Sequence, residues 1–296
     1  MQPDDFPEID TRTASVARVY DYMLGGTDNY EIDRRIADMG EDLMPGSYAM
    51  TRNNRRYLER VVRYLAGECG IRQFIDNGSG LPTQNNVHQV AQKIAPESRV
   101  VYVESDPVVL AHGRVKALLA ENDSTAFIGA DASDTGRILS HPDTQRLINF
   151  DEPVGVLYFS FLHCISDDRD PRGVVRQMAG RLAPGSYIAI SHLTADDPEV
   201  REKVTRFILG STGGHWGRVR SREEVAGFFD GLDAVPPGLV KATGWHPDGR
   251  EEPDSPDWFE YGGVARKPLC NLRAPRLLPE AGKLIPVSAP GPRPAR

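Results

Sequence analysis

The stretch Phe74-Ile-Asp-Asn-Gly-Ser-Gly-Leu-Pro-Thr83 decides how this chain folds. Arg72 to Ile75 reads as a short strand, Asp76 stands at its end, and Gly78 and Gly80 carry the chain toward Thr83, a residue suited to capping a helix. Glycines at these positions let the backbone turn tightly and approach a ligand with no Cβ in the way. A helix N-terminus after them adds unpaired N–H donors and positive potential. A dinucleotide fingerprint would need a third glycine where Thr83 stands, which weakens a pyrophosphate reading. An acid ahead of the glycines suits a cationic or hydroxyl-rich ligand instead. Taken alone, the Gly-x-Gly is also compatible with a plain tight turn.

Strands and helices alternate outward from this point. Val87, Val90, Ala91 and Ile94 recur at helical spacing. Val100–Val103 is a β-branched run ending at Glu104, and Pro107 then opens a helix bearing Val108, Ala111, Val115, Leu118 and Leu119. Ala126–Ile128 leads to Asp131. Val154 to Leu162 is nearly all apolar, as a parallel strand buried on both faces should be. Asp170-Pro171 opens a helix with Val174, Val175, Met178 and Leu182 inward, and Tyr187–Ile190 is a fifth strand. Ser221-Arg-Glu-Glu224 is a capping box for a short helix through Phe229. Leu239 to Trp245 and Phe259 to Arg266 then read as two strands with no helix between them, a hairpin-like pair at the sheet edge. The pattern predicts an α/β fold with a mostly parallel sheet. Residues 1–70 read as a helical extension, 71–268 as the α/β domain, and 269–296 as a Pro- and Arg-rich tail too poor in periodic apolar residues to order itself.

Three acids fall at the carboxyl ends of successive strands, where open α/β sheets bind ligands. Glu104, with Asp106 as a nearby alternative, is placed to accept hydrogen bonds from ribose hydroxyls. Asp131 is placed to accept from an adenine amino group, with the Ala132 N–H donating to the ring. Each acid taken singly is also compatible with a solvated loop or a helix cap. S-adenosylmethionine, which carries an ammonium, a sulfonium and a ribose, matches the set of Asp76, Gly78, Gly80, Glu104 and Asp131.

The chain resembles the actinobacterial S-adenosyl methyltransferase family, formerly known only as a domain of unknown function. The resemblance rests on Ala17-Arg-Val-Tyr-Asp-Tyr-Met-Leu-Gly-Gly-Thr-Asp-Asn-Tyr30, Gly80-Leu-Pro-Thr83, Val100-Val-Tyr-Val103 with Asp106-Pro-Val-Val-Leu110, Ser191-His-Leu-Thr194, Ser221-Arg-Glu-Glu-Val225 and Gly262-Gly-Val-Ala-Arg-Lys267. It covers the chain to about residue 268. The family usually shows Asp-Leu-Gly-Thr-Gly at the first motif; here Asn77 and Ser79 replace the Leu and Thr, while Asp76 and both glycines are kept. Glu104 stands where an Asp is common. The resemblance implies a Rossmann-like class I methyltransferase fold, a seven-stranded, mostly parallel sheet with an antiparallel last strand. It also implies S-adenosylmethionine as methyl donor, S-adenosylhomocysteine as product, and an unassigned acceptor. A non-catalytic protein that senses S-adenosylmethionine or S-adenosylhomocysteine is the alternative reading. A nicotinamide-dependent oxidoreductase is a third, disfavoured by the missing glycine and the terminal strand pair.

Between Arg18 and Tyr30, aromatic and polar groups flank Gly25-Gly26, a hinge on which a lid could close. Arg18 is placed to pair with the methionyl carboxylate, and Gly26 and Asn29 are further candidates for the cofactor, as is Ser160. Asn53 and Asn54 are candidates to reach the site. Tyr22, Tyr30, His192, His215 and Trp216 are candidates for the acceptor side. His163, after the fourth strand, is the candidate general base, since an imidazole titrates near neutrality; a structural role is open for each histidine.

The 296 residues are 40% hydrophobic and 26% charged, with a net charge of −7. Such a chain has no overall basic field for nucleic acid, which argues for a small-molecule acceptor. Arg52, Arg55, Arg56, Arg60 and Arg63 form a local cluster, read as a solvated helix face or an anion site. Cys69, Cys164 and Cys270 make neither a disulfide framework nor a zinc pattern, and no metal is expected; Cys164 reads as a small core residue. Met1 to Asp10 lacks the apolar stretch of a signal peptide and no 18-residue apolar run exists, so no membrane span and a cytoplasmic location are expected.

Overall fold

The computed structural model describes residues 10–82, 85–111 and 123–269. The cap expected at Thr83, the helical positions Val115, Leu118 and Leu119, the first nine residues, Cys270 and the tail beyond it lie outside the described residues.

Three helices come first: α1 (Val16–Met23), α2 (Glu31–Leu43) and α3 (Ser47–Gly67). The α/β part then runs β1 (Gln73–Asn77), α4 (Val87–Ile94), β2 (Arg99–Glu104), β3 (Thr125–Gly129), α5 (Thr135–Ser140), α6 (Pro142–Leu147), β4 (Gly155–Phe159), α7 (Pro171–Arg181) and β5 (Tyr187–Thr194). It ends with α8 (Pro198–Ser211), α9 (Arg222–Ala226), β6 (Asp233–Ala234), β7 (Val240–Lys241) and β8 (Phe259–Arg266). The strands form one sheet in the order β3-β2-β1-β4-β5-β8-β6, with β7 paired to β8 off that path. β1 to β5 are mutually parallel, and β8 runs antiparallel to β5 along all eight of its residues. The fold is therefore the Rossmann-like class I arrangement with an antiparallel strand inserted late. Strand order reverses between β1 and β4, and a crevice opens at their carboxyl ends there.

Alternate residues of each strand feed two cores. Ile75, Val101, Val103, Ile128, Val156, Tyr158 and Ile190 pack under α7 and the Val225–Phe229 turn. Phe74, Val100, Tyr102, Leu157, Phe159 and Val264 pack under α3 and α4. The period-2 burial of strands thus meets the 3.6-residue faces of the helices on both sides. α3 is one of these covering layers: Tyr57, Val61, Val62 and Leu65 are fully buried against the sheet.

Local chemistry sets the boundaries. Ser221 and Glu224 cap α9 reciprocally, as the sequence pattern predicts, and Asn86 and Gln89 do so for α4, three residues beyond the expected cap at Thr83. The apolar run from Val154 yields a strand only to Phe159, because Ser160 takes a left-handed backbone, φ +48°, and turns the chain away. The expected strand from Leu239 to Trp245 shrinks to the dipeptide β7. Arg60 donates to the carbonyls of Ala242 and Trp245, 2.6 and 3.0 Å, holding that segment in a turn, and Trp245 fills the core against Tyr57. Four of the five arginines of the Arg52–Arg63 cluster are thus engaged in ion pairs, while Arg55 lines the cavity in the crevice. Arg52 and Arg56 pair with Glu252, Arg60 with Glu251 and Arg63 with Asp248, clamping α3 to the 242–252 segment.

Candidate active site

The crevice holds a cavity of about 710 Å³. Its floor is the glycine turn after β1, its walls are the ends of β2 and β4, and residues 10–20 with the 212–215 loop close over it. The turn needs both glycines: Gly78 has φ +68° and Gly80 +65°. A Cβ on Gly78 would lie 2.1 Å from the Phe161 ring, whereas Gly80 faces open space. The turn is tied to β2, since the Gly78 N–H donates to the Val103 carbonyl at 3.0 Å and the Gly80 N–H to Glu104 Oε2 at 3.1 Å.

Glu104 also accepts from the N–H groups of Ser105, 2.7 Å, and Asp106, 3.1 Å. Burial pushes its pKa up, against the pull of those three donors. Asp106 accepts from the Ser15 hydroxyl at 2.6 Å, so the start of α1 is fastened over the end of β2. Asp76 is buried at the end of β1. Desolvation raises it to about 7, partly offset by the nearby Arg55 guanidinium. Across the cavity, Asn54 Nδ2 donates to Tyr20 Oη, 2.9 Å, and to Ser160 Oγ, 2.7 Å, and Ser160 Oγ donates to Glu260 Oε1, 2.7 Å.

The structure brings Asp76, Gly78, Gly80, Glu104, Asp106, Ser160, Arg18 and His215 to this cavity. Arg18 lines it with its guanidinium engaged: Nε pairs with buried Asp33 at 2.8 Å, and its other nitrogens donate to the carbonyls of Asp10 and Thr13. Asn54, unlike Asn53, lines the cavity; Asn53 binds the backbone of Glu252. Cys164, read as a core residue, also lines it.

Other candidates lie elsewhere. Asp131 and Ala132 are not in the cavity wall, and the Asp131 carboxylate is taken by Ser133 and Arg169. Gly26 and Asn29 gather around Asp21, which accepts from the Asp28 N–H and Asn29 Nδ2 at 3.0 and 2.9 Å. Tyr22 packs edge-on to Tyr48, and Tyr30 caps α2 with the Arg18 guanidinium over its ring. The cavity is covered by residues 10–20, not by the Gly25-Gly26 turn on which a hinge was expected.

His163 is corrected outright. It is buried beside His192 and Trp216, away from the cavity wall, and its Nδ1 accepts the Leu193 N–H at 3.1 Å. The imidazole proton therefore sits on Nε2, and no lone pair is left to act as a base. Burial, helped by the Arg220 charge, holds its pKa near 3. His192 is likewise structural: Nδ1 bonds the Leu193 carbonyl, Nε2 meets Arg220 at 3.1 Å, and its pKa is held well below that of a free imidazole by burial. Trp216 is buried against His163.

Sequence reading missed Ser15, Phe161 and Glu260, and offered Tyr20 and Arg55 only as members of the 18–30 element and of the arginine cluster. Glu260 carried a signal, as the one acid in the otherwise apolar Phe259–Arg266 strand. The others come together only through the fold.

A family model described as S-adenosyl methyltransferase matches residues 3–268. The chain is similar to a DUF574 family protein of known crystal structure from Streptomyces avermitilis MA-4680, with 39% identity over 88% of this chain and 100% of that one, TM-score 0.82. It is also similar to a candidate methyltransferase from Thermobifida fusca YX, with 40% identity over 90% of this chain and 100% of that one, TM-score 0.79. No curated protein matches.

Proposed function

The chain belongs to the S-adenosyl methyltransferase family and is an S-adenosylmethionine-dependent methyltransferase, and from that premise we propose that its methyl acceptor is a small molecule held in the cavity over the glycine turn. The nicotinamide and non-catalytic readings give way to the family match. The observation that carries the acceptor reading is the size and lining of the cavity. A space of about 710 Å³, partly covered by residues 10–20, is in the usual range for small-molecule sites.

The residues present fit the donor. Gly80 offers open backbone, Asp76 is a buried carboxyl and Glu104 a part-buried one, and both have raised pKa values. Ser79 Oγ and Asn54 Oδ1 are buried with no hydrogen-bond partner. Glu104 would hold ribose hydroxyls through the lone pairs its three backbone donors leave, with Asp106 beside it. Asp76 would face the cationic methionyl end, and Arg55, which lines the same wall and donates to Asn86 Oδ1 at 3.0 Å, would face its carboxylate. When bound, the donor supplies a methyl group already activated on a sulfonium. The chain's part is to orient the acceptor and exclude water, and good orientation is worth about 7–11 kcal/mol. The Ser15–Asp106 bond holds residues 10–20 in place as the lid. Cys69 and Cys164 are free thiols, in keeping with a reducing cytoplasm.

Calorimetric titration with S-adenosylmethionine, S-adenosylhomocysteine and NAD tests the donor site. Saturable binding of the first two, and none of NAD, is expected. An acceptor panel of small hydroxyl and amine compounds, read by S-adenosylhomocysteine release, then tests the acceptor class. Turnover only with a protein or nucleic acid would refute it.

A further inference from the structure

Behind the cavity floor lies a carboxyl that donor binding does not use. Glu260 is on β8, opposite Leu193 of β5, and is buried. Its Oε1 accepts from Ser160 Oγ at 2.7 Å, and its Oε2 makes no hydrogen bond of normal geometry. Ser160 stands between this acid and the cavity. It lines the wall, its backbone is fixed at φ +48° with its N–H on Ser191 Oγ, and its hydroxyl also accepts from Asn54 Nδ2.

Few other groups answer to Glu260. Tyr20 from α1, Tyr57 from α3 and Cys164 after β4 feel its charge, and the hydroxyls of Ser160 and Ser191 hold its pKa down. The cations of α9 and β7, Arg222 and Lys241, lie over the rings of Phe259 and Tyr261, which alternate to the opposite face of the strand. Among the described residues no cation is one of the groups acting on Glu260, and burial raises it to about 7. A buried carboxylate without a partner is costly unless its counter-charge arrives with a ligand.

Resting on the methyl-donor reading above, we propose that Ser160 and Glu260 are the proton-accepting pair of the transfer, and that the acceptor is a protic nucleophile, a hydroxyl or an amine. The acceptor's lone pair forms the new bond to the methyl carbon, and the electrons of the broken S–C bond return to sulfur. The acceptor's proton passes to Ser160 Oγ as the Ser160 proton passes to Glu260 Oε1. The positive charge on sulfur and the negative charge on Glu260 disappear together, so the site's net charge is the same before and after. Glu260 is therefore ionised beside S-adenosylmethionine and protonated beside S-adenosylhomocysteine.

That difference is measurable without the acceptor. Titrations with each ligand at about pH 7, in buffers of different ionisation enthalpy, count the protons exchanged. The wild-type protein is expected to release more protons on binding S-adenosylmethionine than on binding S-adenosylhomocysteine. Glu260→Gln should lose most of that difference while still binding both, and Asp76→Asn should keep the Glu260 share. A Glu260→Gln protein that binds both ligands with the full wild-type difference overturns the proposal. Should that variant not fold, infrared difference spectra of wild-type protein with carboxyl-labelled glutamate serve instead. A carboxylate band with the donor and a carboxylic acid band with the product are expected, and no glutamate change overturns the proposal. Failure of the wild-type protein to bind S-adenosylmethionine would remove the donor reading itself.

Discussion

Two glycines of one turn, with nearly equal backbone angles, should respond differently to the same substitution. Gly78→Ala and Gly80→Ala each place a Cβ on a left-handed residue, which costs about 1–2 kcal/mol. At Gly80 that is the whole stability cost, because no described residue lies within 4 Å of the new methyl. At Gly78 the methyl would meet Phe161 Cδ2 at 2.1 Å and Cγ at 2.5 Å, near the root of a ring stacked on Tyr158. Such overpacking adds about 1–3 kcal/mol, so Gly78→Ala should lose about 2–5 kcal/mol in all.

Equilibrium urea unfolding of the two variants, of Phe161→Ala and of Gly78→Ala/Phe161→Ala reads the terms separately. With the ring gone, Gly78→Ala should cost no more than Gly80→Ala does, giving a coupling of about 1–3 kcal/mol between positions 78 and 161. Ligand binding should follow the opposite order. Gly80→Ala, whose methyl projects into the cavity, loses S-adenosylmethionine affinity with little loss of stability. Equal destabilisation by the two alanines, or no relief from Phe161→Ala, would refute the account of the turn.

Glu104→Gln should weaken S-adenosylmethionine and S-adenosylhomocysteine alike, by about tenfold or more, because charge-assisted bonds worth about 1.5–3 kcal/mol are lost; unchanged calorimetric affinities in a folded variant would take the ribose away from Glu104. Arg18→Met strands Asp33 inside the protein and should cost about 3–5 kcal/mol of stability in denaturation. A variant of full stability with weakened donor binding would instead restore Arg18 as a ligand-binding residue. For His163, the folded pKa near 3 lies below the ordinary 6.5, so the folded state binds fewer protons between those values. Its contribution is complete above about pH 6.5 and is lost as pH falls toward 3. His163→Asn should flatten that acid loss of stability in pH-dependent unfolding and leave donor affinity at neutral pH unchanged.

What could be read in advance was what local chemistry enforces. The β1 turn, the capping box of α9 and the short runs of β2 and β3 carry their signals within a few residues, and all form where expected, whereas α4 is capped at Asn86, not at Thr83. The acids at the ends of β1 and β2 follow from the same pattern, since a parallel strand that ends in a carboxylate delivers it to the crevice. Asp131 also stands at that rim, beside Glu104, but Arg169, after β4, reaches back and pairs with its carboxylate. His163 failed for a related reason. A histidine after a strand is legible, whereas the Leu193 N–H that occupies its lone pair comes from another strand, thirty residues on.

The polar chain from Tyr20 through Asn54 and Ser160 to Glu260 shows what sequence alone withholds. Its four members come from α1, α3, the turn after β4 and β8, and no spacing links them. Yet each breaks a local rule where it stands. Asn54 is buried in the middle of a helix with an unpaired oxygen, Ser160 ends an apolar strand in a left-handed backbone, and Glu260 is an acid in a strand buried on both faces. Buried polar groups cost about 1–3 kcal/mol each when unpaired, and a single one could be a tolerated defect. Three that form one chain of bonds, two of them on the cavity wall and the third directly behind it, are better explained by the chemistry done there than by stability. Replacing all three by Leu, Ala and Met tests that directly: a variant more stable than wild type but without the difference in proton release between donor and product supports a functional origin, and one that unfolds shows the chain to be structural.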